Sequence, residues 1–320
     1  MVEARLFQEE DCVLDYTAVA AVTGGQVVQL PDGRAGVVPT DLAAAGIGSA
    51  SAEGIYEVTK AANIVWVDGQ EIWWDHSADA AVVQPAGDLD FYLGAAVGDV
   101  AAATVLGKVN LNVRPQYLID LAKDAFQTLL VKTVVGSTTI VIPSLTQSGG
   151  SNVMAFGLTA EAQKIDLLST RAFGVESNWI VDGIVNILVD GDAAATDFNI
   201  GVANATHASS ADTITESCFI HQDGTSLNIL AESDDGTTEV AATDTTVDLV
   251  VGTPFHFLID GRNTSDIQIY IDGVNVLPNS TFKLNAATGP LKLLAHVEKT
   301  ADDSPGTYSI DSLRVRIANE

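Results

Sequence analysis

Closely spaced acidic side chains are the feature of this sequence that most suggests chemistry. The stretch DGDAAATDFN brings Asp190, Asp192 and Asp197 together, and Ca²⁺ prefers several oxygen ligands of this kind. Because the stretch lacks the D-x-D-x-D-G order of an EF-hand loop, an acidic surface loop is favoured over a calcium site. We therefore predict no cofactor, and name these three residues as the place where calcium would bind if the protein takes it.

A second acidic stretch, ESDDGTTE, has the residue types of a glycosidase but not the arrangement. A hydrolase of this class needs two carboxylates on a shared face, and Asp235-Gly236 is a turn signal that would separate them. The chain also lacks the G-x-S-x-G, H-E-x-x-H, C-x-x-C, P-loop and dinucleotide-binding patterns. Its five histidines are scattered, and His221 and His256 alternate within apolar stretches, which predicts buried, hydrogen-bonded side chains. We predict that the protein is not an enzyme.

Aromatic side chains are the remaining candidates for ligand contact. Trp66, Trp73 and Trp74 lie within nine residues, and a sugar-stacking platform is one interpretation. Core anchoring is favoured, because large aromatic residues dominate the interiors of small β domains. Farther along the chain, Trp179 is the candidate for stacking on a glycan.

Short apolar-alternating runs separated by turn residues predict an all-β protein. Residues 1–113 have the strand spacing of a small antiparallel barrel or sandwich, and residues 153–320 that of an antiparallel β-sandwich of the jelly-roll type. Two Asp-Gly dipeptides, Asp68-Gly69 and Asp272-Gly273, each separate alternating arms and predict two-residue hairpins.

Residues 114–152 form the least regular part of the pattern. A helical stripe follows Pro115, but the next run is β-branched and extended in character, so the secondary structure stays open. We treat this segment as a connector between the two domains.

The charge balance narrows the range of partners. There are 42 acidic and 15 basic residues among 320, a formal net charge of −27, and the acidic residues occur in both parts of the chain. Because nucleic-acid binders use clustered Lys and Arg, we predict no nucleic-acid and no membrane partner. The two cysteines, Cys12 and Cys218, exclude a disulfide framework. The acidic first residues lack the order of a signal peptide, which predicts synthesis without export by the usual route.

Four motifs in residues 1–113 resemble those of the capsid cement (decoration) proteins of tailed bacteriophages. The matching runs are Gly54–Ala61, Gly69–Asp75, Leu93–Val97 and Val109–Leu111. The resemblance implies a β-rich module on the outer surface of the phage head, bound to the major capsid protein. It also implies a homotrimer that reinforces the shell against the pressure of the packaged DNA.

The second part of the chain is similar to concanavalin A-like and laminin-G-like sandwiches. The runs that carry this likeness are TPFHFLIDGR, IQIYIDGVNVL and YSIDSLRVRI. Domains of this superfamily include glycan binders, enzymes and purely structural modules, so the fold does not decide the function.

The sequence therefore predicts a phage capsid cement protein with an outward β-sandwich, located on the outer surface of the virion. Leu6 and Phe7 are the candidates for contact with the capsid, as an apolar anchor in an otherwise polar first segment. The alternative is a glycan-binding adhesion protein of the virion surface, for which Trp179 is the candidate residue.

Overall fold

The computed structural model describes residues 4–8, 13–120, 130–141, 151–190, 196–206, 210–224, 226–302 and 306–317. The chain divides into two compact units: residues 1–116 with 272–274, and residues 117–271 with 275–320. The described residues contain strands and one 3-10 turn but no α-helix, so the all-β prediction is confirmed. Among them, no helix is long and apolar enough to cross a membrane.

Ten strands form the described part of the first unit. They are β1 (Ala4–Gln8), β2 (Val13–Thr17), β3 (Val27–Gln29), β4 (Ala35–Val37), β5 (Ile47–Ser51), β6 (Ile55–Thr59), β7 (Glu71–Asp75), β8 (Ala80–Val82), β9 (Phe91–Ala96) and β10 (Leu106–Leu111). Six of them make an antiparallel sheet in the order β1-β6-β10-β9-β7-β8, and the other four make a second sheet in the order β2-β5-β4-β3.

Large aromatic side chains fill the core of the first unit. Trp66 and Trp74 are fully buried there, which confirms the core interpretation for both. Trp73 is half-buried and makes an edge-to-face contact with Tyr92, with ring centroids 5.5 Å apart. The prediction of a hairpin at Asp68-Gly69, in contrast, is wrong. The residues on its two sides do not pair with each other, because β7 pairs with β8 and β9 while Trp66 forms a bridge to Val100.

The second unit is a sandwich of two antiparallel sheets. Its described strands are β11 (Ile119–Asp120), β12 (Leu130–Val135), β13 (Thr138–Val141), β14 (Asn152–Phe156), β15 (Glu161–Ser169), β16 (Trp179–Val189), β17 (Thr196–Ala203), β18 (Ser217–Asp223), β19 (Asn228–Asp234), β20 (Glu239–Asp248), β21 (Phe255–Gly261), β22 (Gln268–Ile271), β23 (Val274–Asn275), β24 (Lys292–Asp302) and β25 (Thr307–Ile317). Among the described residues, one 3-10 turn, η1, covers Ala211–Thr213.

The two sheets are named after their central strands. The β25 sheet has the order β13-β14-β25-β16-β21-β22-β23, with β11 pairing β25, and the β24 sheet has the order β12-β15-β24-β17-β18-β19-β20. Apolar residues at alternate positions of both sheets meet in one large core, as expected for period-2 side-chain alternation. The β22–β23 hairpin turns at Asp272-Gly273, where φ is +49° and +79°, as a type I′ turn requires.

Residues 114–152, predicted as a connector between two domains, instead contain strands of the second unit. β11 pairs with β25, β12 with β15 and β13 with β14, so the segment supplies strands to both sheets of the second unit. Their partners lie up to about 200 residues away in sequence, and such long-range pairing leaves no local signal in the segment itself. Residues 121–129, where the sequence suggested a helical stripe, lie outside the described residues.

Candidate functional site

Four polar side chains from four neighbouring strands lie in one row across the β24 sheet. Asp166 on β15 is paired with His296 on β24, His296 with Asn199 on β17, and Asn199 with His221 on β18. We call these four residues the polar row. All are at most 2% exposed, so each carries a desolvation cost that a partner must offset.

Strand alternation places the polar row on the outer face of the β24 sheet. Phe198 and Ile200 flank Asn199 and belong to the main core, as does Ile220 next to His221. Because successive side chains of a strand point to opposite faces, Asn199 and His221 point away from that core. Their position alone would predict solvent exposure.

The 3-10 turn η1 helps to bury this part of the outer face. Ile214, which follows η1, packs with Phe219 of β18 in a small apolar cluster on that face. The turn also brings in Asp212, whose Oδ1 accepts a hydrogen bond from Asn199 Nδ2 at 2.7 Å. A segment between β17 and β18 thus adds a carboxylate to the row.

The His296 end of the row is held by ion pairs. His296 Nδ1 lies 2.5 Å from Asp166 Oδ1 and Nε2 lies 3.1 Å from Glu298 Oε2, while Lys164 Nζ lies 3.0 Å from Asp166 Oδ2. Burial lowers the pKa of His296, but the hydrogen bonds to the two carboxylates outweigh burial and leave the pKa above its usual value. This end forms an ionic network, and Glu298 also lies opposite Asp197 of β17.

The His221 end holds more acid than base. His221 Nδ1 lies 3.4 Å from Asp212 Oδ1 and 3.6 Å from Glu232 Oε1 of β19. Within the described part of the chain, neither ring nitrogen of His221 has a partner with hydrogen-bond geometry. Burial lowers the pKa of His221, but the nearby Glu232 and Asp212 carboxylates outweigh burial and leave the pKa above its usual value. For Glu232, burial raises the pKa above its usual value.

Asp197 and Asp223 extend the acidic end by one cross-strand pair. They are directly opposite each other on β17 and β18, an arrangement of like charges that destabilises a sheet. Burial, followed by the charge of Asp212, raises the pKa of Asp197 to about 6. Two groups of three ligand-type atoms, each group within 4.8 Å, share His221: one with Asp197 and Asp223, the other with Asp212 and Glu232.

Among these residues, the sequence pattern predicts metal binding only for Asp197, whereas it predicts burial for His221 and a turn after Glu232. Asp197 was selected as part of a loop with Asp190 and Asp192, whereas the structure places it on β17 facing β18. Asp190 accepts a hydrogen bond from Gln222 Nε2 at 3.0 Å, and Asp192 lies outside the described residues. The calcium site in that loop therefore stays a prediction.

Trp179 is not a glycan-stacking residue. Its side chain is fully buried in the main core, and its indole nitrogen donates to the carbonyl oxygen of Val175 at 3.1 Å. A ring with no exposed face cannot stack on a sugar, so that candidate is wrong. Its aromatic type suggested binding, but its place on the inner face of β16 makes it a core residue.

Leu6 and Phe7 lie in a strand of the first unit. Leu6 is opposite Tyr56 of β6, and the register shifts between Leu6 and Gln8, which makes Phe7 an irregular position of β1. The β1 strand is the terminal strand of the six-stranded sheet. Contact of Leu6 and Phe7 with a capsid remains a prediction.

The acidic stretch from Glu232 to Glu239 contains the predicted turn. Asp235 Oδ1 accepts hydrogen bonds from the backbone N–H groups of Thr237 and Thr238, at 2.9 and 2.6 Å, and Gly236 has φ of +81°. Glu232 precedes this turn on β19 and faces His221 instead. The stretch therefore divides between a turn and the acidic end of the polar row.

Residues 7–111 match the family of phage cement proteins. The match covers all four runs on which the resemblance rested, and it falls within the first compact unit. No curated protein matches the chain.

Solved structures resemble the chain over a little more than half of its length. One belongs to work on the endo-acting O-glycanases that gut bacteria of humans express to initiate mucin breakdown, with 10% identity, a TM-score of 0.44, and coverage of 64% of this chain and 100% of that one. The Emp47p carbohydrate recognition domain has 9% identity, a TM-score of 0.41, and coverage of 59% and 89%. The family 7 alginate lyase AlgAT5 has 14% identity, a TM-score of 0.40, and coverage of 57% and 84%.

Proposed function

We propose that this chain is a non-enzymatic capsid cement protein of a tailed bacteriophage. Its first unit binds the major capsid protein on the outer surface of the assembled head, and its β-sandwich is carried as an additional outward module. The match of residues 7–111 to the phage cement family is the observation that supports this proposal. The net charge of −27 suits a surface that faces solvent and not packaged DNA.

Exposed apolar side chains on the first unit suit a docking role. Val13, Val19 and Ile47 are 59%, 93% and 79% exposed, and Ile47 is paired with Thr17 across the β2–β5 ladder. Burying one such side chain against a partner stabilises the complex by roughly 1.5–3 kcal/mol. These side chains, with Leu6 and Phe7, are the proposed capsid contacts, and the homotrimer expected from the resemblance is part of the same proposal.

A glycan-binding adhesion role receives no specific support from the described residues. The candidate ring of Trp179 is in the core, and Tyr308 is likewise only 1% exposed. We therefore do not advance it as a second function.

Copy number and capsid binding test the proposal together. Quantitative mass spectrometry of purified virions should give a ratio to the major capsid protein near one to one. Purified chain should also cosediment with heads that lack it, and the double variant Val19→Asp, Ile47→Asp should reduce the bound fraction at least about tenfold.

The matched control places the same change on the second unit. Val250 is 63% exposed there, and Val250→Asp should leave cosedimentation unchanged. A handful of copies per virion, or full head binding by the double variant, would contradict the proposed attachment.

A further inference from the structure

A buried histidine without hydrogen-bond partners is the starting observation. His221 is 2% exposed, and neither of its ring nitrogens has a hydrogen-bond partner within the described residues. Asn199 Oδ1, in the fully buried neighbouring side chain, is also without one. Buried polar atoms in proteins are nearly always satisfied, so these atoms mark a site that can receive a further binding partner.

The distances around His221 match the ligand spacing of a tetrahedral metal ion. Zn²⁺ binds histidine nitrogen and carboxylate oxygen at about 2.0–2.1 Å, which places tetrahedral ligands roughly 3.3–3.4 Å apart. His221 Nδ1 lies 3.4 Å from Asp212 Oδ1 and 3.6 Å from Glu232 Oε1. These three atoms, all within 4.8 Å of one another, require only small movements to share one ion.

Charge favours the same occupant. Asp212 and Glu232 face one histidine, and the opposed carboxylates of Asp197 and Asp223 lie next to them on the same face. A divalent cation would offset the mutual repulsion of these groups, which a neutral or negative ligand would not.

We propose that Asp212, His221 and Glu232 form a binding site for a divalent transition-metal ion, with Zn²⁺ as its best-fitting occupant. A mixed set of one imidazole and two carboxylates selects zinc-like ions, whereas Ca²⁺ prefers oxygen ligands alone and more of them. The three protein ligands leave a fourth position open. Because the Asp212 side chain is 36% exposed, the ion and a water molecule can reach that position from solvent.

Asn199 acts as the positioning residue of this site. Its Nδ2 donates to Asp212 Oδ1 at 2.7 Å and to Glu232 Oε1 at 3.3 Å, the same two oxygens that would bind the ion. An oxygen with two lone pairs can accept one hydrogen bond and ligate a metal at once. Partners of this kind orient ligands, and their loss typically costs 10- to 100-fold in metal affinity.

The site joins β18, β19 and the η1 turn, so a bound ion would fasten the covering turn to the β24 sheet. Binding to the native state alone would raise the thermal midpoint of the second unit.

Calorimetric titration of the metal-free full-length chain with Zn²⁺ tests the proposal. We expect one Zn²⁺ ion to bind per chain. The affinity for Ca²⁺ should be at least about tenfold lower than the affinity for Zn²⁺. The variants His221→Gln, Glu232→Gln and Asp212→Asn should each weaken Zn²⁺ binding at least about 100-fold, and Asn199→Ala should do so by 10- to 100-fold.

A matched control makes the same carboxylate-to-amide change outside both groups of ligands. Glu298 bonds to His296 and lies opposite Asp197 on the same sheet face, and Glu298→Gln should leave Zn²⁺ binding intact because Glu298 belongs to neither group. Without metal, Glu232→Gln should melt at or above the wild-type temperature, because it removes one carboxylate from the acidic end. A loss of Zn²⁺ binding in that variant could then not be explained by a loss of folding.

Two results would overturn the assignment. Failure of wild-type chain to bind Zn²⁺ more tightly than Ca²⁺ would remove the metal site. Loss of binding in Asp223→Asn with full binding in Asp212→Asn and Glu232→Gln would show that the ion uses the other group of ligands.

Discussion

The ion pair between Asp182 and Arg314 gives the sharpest test of how the sandwich is stabilised. The two residues are directly opposite on β16 and β25, and they are only 2% and 5% exposed. Arg314 Nε and Nη2 both donate to Asp182 Oδ1, at 2.9 and 2.6 Å. We consider the variant Asp182→Asn, which keeps the side-chain shape but removes the negative charge.

The expected loss follows from burial. Asp182→Asn removes one of the groups that compensate the buried Arg314 guanidinium, and breaking a buried pair in this way costs about 3–5 kcal/mol in free energy of unfolding. Asp120, which lies opposite Arg314 on β11, is unchanged in the variant. For a unit of this size, each kcal/mol shifts the thermal midpoint by about 2–4 °C, so the midpoint should fall by about 6–20 °C. The Tyr117 ring, 4.4 Å from the Arg314 guanidinium carbon, stays in place in the variant and does not enter the difference.

Differential scanning calorimetry of the full chain measures the effect. The double variant Asp182→Leu, Arg314→Met should recover most of the loss, because replacing a buried pair by apolar side chains is often neutral or stabilising. As a control, Asp32→Asn removes an exposed carboxylate of the first unit that pairs with Arg34, and should leave the second unit's transition unchanged. A loss below about 1 kcal/mol in Asp182→Asn would refute the argument that this charge is desolvated in the folded state.

Two further predictions concern a buried histidine and a close glycine contact. Burial lowers the pKa of His256 to about 4 from 6.5, with Asp182 opposing the shift, so the folded state binds fewer protons than the unfolded chain between these pH values. The free energy of unfolding should therefore fall by about 3 kcal/mol as the pH drops from 6.5 to 4. Urea unfolding at a series of pH values should show this fall in the wild type and not in His256→Gln. An equal dependence of the free energy of unfolding on pH in both proteins would contradict the prediction. In the first unit, a Cβ at Gly107 would lie 2.1 Å from Trp66 Cζ3, so Gly107→Ala should cost about 1–3 kcal/mol in urea unfolding. Gly87→Ala, whose Cβ meets its nearest neighbour at 3.4 Å, is the control, and equal stability of the two variants would refute the clash.

The two Asp-Gly dipeptides show how far local sequence reaches. Both follow the same hairpin rule, but only Asp272-Gly273 has positive φ at both positions and joins paired strands. At Asp68-Gly69 only the glycine has positive φ, and β7 takes its partners from β8 and β9. Turn chemistry is local, whereas the choice of strand partner depends on packing across the whole unit.

The polar row marks what no local pattern could reveal. His221, Asn199 and His296 each directly follow an apolar residue in a strand, a local pattern that identifies no partner for them. Their alignment depends on the register of two neighbouring strand pairs, and Asp212 joins them through a turn that covers the outer face.

The sequence by itself determined the all-β class, the turn at Asp272-Gly273 and the cement-like pattern of the first unit, because these depend on alternation and motif spacing along the chain. Only the tertiary structure decided that β11, β12 and β13 belong to the sandwich, that Trp179 is buried, and that carboxylates from separate elements converge on His221. Such features depend on contacts between residues far apart in sequence, whose energies appear only after the strands have paired.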